Sequence, residues 1–77
     1  MARDEKLIAK MKQSPNNIRF TELDSFLKRR GFETTQRGSH VQYRGPEGIR
    51  FTIVRPHGSE KTVNRNAIKE VLEELEL

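Results

Sequence analysis

Residues 32–54 read FETTQRGSHVQYRGPEGIRFTIV, and their periodicity decides the fold. From Ile49 to Val54 apolar and polar residues alternate, with Ile49, Phe51 and Ile53 on one side and Arg50 and Thr52 on the other. Strict alternation is the pattern of a strand with one buried face. The same period runs through His40–Arg44, where Val41 and Tyr43 oppose His40, Gln42 and Arg44. It is weaker from Phe32 to Arg37, where Phe32, Thr34 and Gln36 share a side. Gly38-Ser39 and Gly45-Pro46-Glu47-Gly48 separate the three runs with turn-forming residues. Connections this short join antiparallel neighbours, so the stretch predicts a three-stranded meander over 32–37, 40–44 and 49–54.

The period changes to that of a helix on both flanks. Upstream, Leu23, Phe26 and Leu27 form an i, i+3, i+4 stripe. Thr21 is the expected N-cap, and Glu22 and Asp24 place negative charge in the first turn. Lys28, Arg29 and Arg30 suit the C-terminal end of the helix dipole, or contact with a polyanion. Gly31 is the expected left-handed residue that ends the helix, with Phe32 folding back on it. Downstream, Asn64 is the expected cap of a helix whose stripe is Ile68, Val71, Leu72 and Leu75.

The order helix, three strands, helix is an α+β fold: a three-stranded antiparallel sheet with two helices on one face. The expected core is Leu23, Phe26, Leu27, Val41, Phe51, Ile53, Ile68, Val71 and Leu72. Residues 2–13 form a further amphipathic pattern through Leu7, Ile8 and Met11, interrupted by Ser14-Pro15-Asn16-Asn17. Residues 1–16 therefore read as an N-terminal helical extension to a domain over 17–77.

Composition narrows the function. A chain of 77 residues is one domain or less. With no cysteine it has neither disulfides nor a thiolate metal site, which fits the cytoplasm. No apolar run is long enough for a signal peptide core or a membrane span. Residues 1–66 hold fourteen Lys/Arg against seven Asp/Glu, a net +7, and residues 67–77 a net −3. A basic body favours polyanions. His, Asp and Glu do not cluster at metal-ligand spacing, and no nucleotide-binding phosphate loop is present, so neither a metal nor a cofactor is expected.

The uncovered sheet face then carries His40, Gln42, Arg44, Arg50 and Thr52. An imidazole exchanges a proton near neutral pH, which suits His40 to acid–base chemistry on a bound polyanion. Arg37, Arg44, Arg50 and Arg55 flank His40 and have the geometry to clamp phosphate oxygens; a solvated charged face explains them equally. Gly38 and Ser39 shape the turn so that backbone N–H groups and a hydroxyl face a phosphate. His57 is either an acid opposite His40 or a loop residue fixed by Pro56 and Gly58. Tyr43 shares a side with Val41 and reads as core.

These residues together resemble the HicA family of bacterial toxin–antitoxin systems. Gly31-Phe32 at the helix end, Gly38-Ser39-His40 with Tyr43 three residues on, Pro56-His57 after the third strand and the terminal helix carry the resemblance, over about residues 16–76. It implies a fold similar to a double-stranded-RNA-binding domain and the activity of a type II toxin, an mRNA interferase that cuts RNA without a metal. It further implies His40 as the catalytic residue and a HicB-type antitoxin as the partner, besides mRNA itself. The longer N-terminal segment and Asn64-Arg65-Asn66 at the last helix start depart from the usual pattern. A non-catalytic RNA-binding domain shares fold, charge and partner class, and only the need for His40 separates the two. An adaptor using the acidic last helix leaves Gly38-Ser39-His40 unexplained.

Overall fold

The computed structural model describes residues 2–56 and 61–77. Its elements are α1 (Ala2–Gln13), α2 (Phe20–Arg29), β1 (Glu33–Arg37), β2 (His40–Arg44), β3 (Arg50–Val54) and α3 (Arg65–Glu74), with single 3₁₀ turns at Pro15–Asn17 and Pro46–Gly48. The strands form one antiparallel sheet in the order β1-β2-β3, the expected α+β meander. The alternation holds through β2 and β3: Val41, Tyr43, Phe51 and Ile53 are buried beneath the helices.

The C-terminal end of α2 follows from local chemistry. Gly31 has φ +94, and the N–H groups of Gly31 and Phe32 donate to the carbonyls of Lys28 and Leu27 at 3.0 Å each. This is the paired closure of a Schellman motif, which Gly31 permits because it lacks a Cβ. The start differs from expectation. The N-cap position falls on Arg19, and Thr21 lies inside the first turn. Glu22 takes over the capping, accepting a hydrogen bond from the Arg19 N–H at 2.9 Å. Partial burial works against the Glu22 charge, but the Arg19 N–H and the Lys10 ammonium outweigh it, and its pKa falls below the ordinary value. The segment before α2 is also held from afar: Phe20 N–H donates to Lys61 O and Val63 N–H to Ile18 O. At α3, Asn64 caps as expected, its side chain accepting from Asn66 N–H at 2.7 Å.

The core contains eight of the nine expected residues; Leu72 sits at its rim. Leu7, Met11, Ile18, Phe20, Phe32, Tyr43 and Val63 join it. Met11 is fully buried, so α1 packs into the same core as the sheet. Exposed ion pairs Arg29–Asp4 and Lys10–Glu22 also link α1 to α2, a minor contribution in solvent. Strand β1 is exposed along its whole length, and Phe32, expected as its first residue, instead precedes it and is buried. The Phe32 ring stacks on Phe51 at 5.5 Å and lies flat against Gly45, where any Cβ would overlap the ring.

Gly45 has ordinary extended backbone angles, so its requirement is purely steric. Gly45→Ala is expected to force Phe32 out of place and cost about 1–3 kcal/mol, the range for an overpacked core. Thermal unfolding should show a midpoint lower by at least about 4 °C; an unchanged midpoint would refute the contact.

Candidate functional site

His40 is the first residue of β2, directly after the Gly38-Ser39 turn. Its partners across the sheet are Arg37 on β1 and Val54 on β3. The next row down the same face is Thr35, Gln42 and Thr52, and the third is Glu33, Arg44 and Arg50. All nine residues are exposed. Paired residues in such a sheet have Cα atoms about 4.5–5.5 Å apart, so Arg37 stands beside His40. The face therefore carries an imidazole and three guanidinium groups against one carboxylate, Glu33.

The turn that presents His40 is held on both sides. Gly38 has φ +58 while Ser39 is on the negative side, the sign pattern of a type II′ hairpin turn. The Gln36 side-chain amide donates to Gly38 O at 2.9 Å. The Arg55 backbone N–H donates to Ser39 O at 2.7 Å, which extends the pairing of β2 and β3 one step past His40.

Of the residues expected to flank His40, Arg37, Arg44 and Arg50 share its face, with Gly38 and Ser39 at the turn. Arg55 does not. Its guanidinium lies 5.1 Å over the Phe20 ring and 3.5 Å from the Gln36 side-chain oxygen, on the helix-bearing side. Alternation is the cause: Arg55 follows Phe51 and Ile53 in parity, and His40 follows Val54. His57 lies outside the described residues. At the end of α2, Lys28 pairs with Asp24, Arg29 with Asp4, and Arg30 stacks over Phe26, so each of the three exposed cations has a partner within the fold.

Sequence reading passed over Val54. It is the one large apolar side chain exposed among the described residues, at 52%, and it sits opposite His40. Its parity with Arg50 and Thr52 was the signal. Among the described residues no three His, Asp or Glu side chains are placed to hold a metal ion. No described helix is long and apolar enough to cross a membrane.

A family model, HicA toxin of bacterial toxin–antitoxin systems, matches residues 20–77. The chain belongs to the HicA toxin family. No curated protein and no solved structure matches it. Membership makes this HicA chain the toxin of a toxin–antitoxin pair, with an antitoxin as its partner. The match begins at Phe20, the first residue of α2, and so takes in the whole sheet with the Gly38-Ser39-His40 turn; α1 lies ahead of it.

The two sides of the HicA sheet should respond differently to loss of an arginine. Arg55→Ala removes a stacked cation and is expected to cost about 0.5–1 kcal/mol. Arg44→Ala, on the open face, should stay within about 0.5 kcal/mol of wild type. Urea unfolding of both variants is the check, and equal losses would contradict the assignment of sides.

Proposed function

We propose that the protein is a metal-independent endoribonuclease that cuts mRNA, with His40 as the catalytic residue. The observation that carries this reading is the joint placement of His40, Arg37, Arg44 and Arg50 on one uncovered, basic face, in a family of toxins. His40 takes the proton from, or orients, a ribose 2′-hydroxyl. The 2′-oxygen attacks the adjacent phosphorus, the bond to the 5′-oxygen breaks, and a 2′,3′-cyclic phosphate forms. The arginines hold the phosphate oxygens and stabilise the charge that grows on them in the transition state. Gly38 and Ser39 present backbone N–H groups and a hydroxyl at the same turn. The departing 5′-oxygen needs a proton, for which His57 is the candidate. The site of action is the cytoplasm, where mRNA is found.

The antitoxin is proposed to be of HicB type and to silence the toxin by covering His40. A basic face is a natural target for a partner of complementary charge. A domain of this order that only binds RNA, by shape and phosphate contacts, is the second reading.

Purified wild-type and His40→Ala proteins, each with a long RNA in a chelating buffer, decide between them. Wild type should cut. His40→Ala should cut about 10² to 10⁴-fold more slowly while still binding RNA. A DNA strand, which lacks the 2′-hydroxyl, should bind and resist cutting. Equal rates for the two proteins, or loss of cutting with the chelator, would overturn the mechanism.

A further inference from the structure

The open face does not hold all the cations at His40's end of the sheet. Behind it, on the helix side, two clefts of about 580 and 300 Å³ share Arg55 and Pro56 as a common wall. The larger is lined by Val54 and Arg65 among others, the smaller by Arg19 and Lys61. Arg19, Arg55, Lys61 and Arg65 are all exposed. Among the described residues, no carboxylate lies within ion-pair distance of any of them. Glu22, within Coulombic reach of Arg19, is already engaged by Lys10.

Two links join these clefts to the proposed catalytic face. Val54 lines the larger cleft and is also the cross-strand partner of His40. The Arg55 N–H is bound to Ser39 O at 2.7 Å, the residue before His40. A chain leaving His40 over Val54 therefore meets four cations with no intervening negative side chain among the described residues. The placement of Arg65 adds to this. It is the first residue of α3, and no acid stands in that helix's first turn. A helix N-terminus carries partial positive charge and ordinarily attracts carboxylates, so a cation there works against helix stability. For a polyanion the same charge is an attraction.

From this continuity we infer that the double cleft binds the backbone phosphates of the RNA segment next to the scissile bond. The strand then wraps round the end of the sheet, from the open face to the helix side. The inference rests on the reading of the protein as a ribonuclease and extends its substrate site by Arg19, Lys61 and Arg65, with Arg55 acting from behind the sheet. The ligand is single-stranded RNA, held by charge and without base readout.

The test uses the full chain and a labelled 2′-O-methyl RNA oligonucleotide, which has phosphates but no free 2′-hydroxyl and so is not cut. Affinity is measured against salt for wild type, for K61Q/R65Q, and for K6Q/K12Q on the exposed side of α1. Each phosphate contact contributes about 0.7 to the slope of log affinity against log salt for a single strand. K61Q/R65Q should lower the slope by about 1.4 with a thermal midpoint no lower than that of wild type, and K6Q/K12Q should leave the slope as in wild type. A full slope in K61Q/R65Q, with wild type still cutting RNA, overturns the cleft alone and spares the reading of His40. Weakened antitoxin binding with unchanged oligonucleotide binding would assign the cleft to a protein partner and likewise overturn it. Wild type that fails to cut RNA defeats the ribonuclease reading, and the inference falls with it.

Discussion

Tyr43 is fully buried, and its hydroxyl is satisfied by one short hydrogen bond to Asp24 on α2, 2.7 Å long. Burial and the neighbouring Asp24 carboxylate push the phenol well above its ordinary range, so it stays a neutral donor. This bond ties the central strand to the helix layer in one register. A slip of one residue would turn every side chain of β2 to the opposite face, burying His40, Gln42 and Arg44 and exposing Val41 and Tyr43. The same parity that closes the core therefore leaves His40 and three arginines open to solvent. Asp24 also pairs with Lys28, so its second oxygen is engaged within the helix.

The rest of the fold sets the two ends of the sheet. At one end Phe32 stacks on Phe51 against Gly45, which fixes where β1 leaves α2. At the other end the Gly38-Ser39 turn is braced by Gln36 and by the Arg55 backbone. That bracing positions His40 without any contact that would bury it. A domain this small has few apolar groups to spare, and α1 adds Leu7 and Met11 to the core. Its ion pairs with α2 are exposed and contribute little beside that burial.

Much of this was legible in the sequence because it depends on period and local caps. The alternation in Val41, Tyr43, Phe51 and Ile53 gave the sheet its two faces, and Gly31 and Asn64 marked helix ends by their own backbone chemistry. What escaped depended on distant partners. Nothing local in Ile18-Arg19-Phe20 shows that it pairs with Lys61–Val63, and that pairing helps move the start of α2 ahead of Thr21. The packing of Met11 into the core likewise needs the third dimension. Arg55 is a different case: carrying the alternation one residue past Val54 places it with Phe51 and Ile53, away from His40. The family was readable from Gly38-Ser39-His40 and its spacing to Tyr43, and the match over residues 20–77 bears that out.

The open, basic face of the sheet, proposed as the RNA site, is thus a by-product of a one-sided core. The measurement that addresses this most directly is amide chemical-shift mapping of the labelled protein with a 2′-O-methyl RNA oligonucleotide. The amides of Arg37, His40, Gln42 and Thr52 are expected to shift on binding. Shifts confined to the outer surfaces of α1 and the acidic end of α3, with those four unmoved, would contradict the assignment of the open sheet face to RNA.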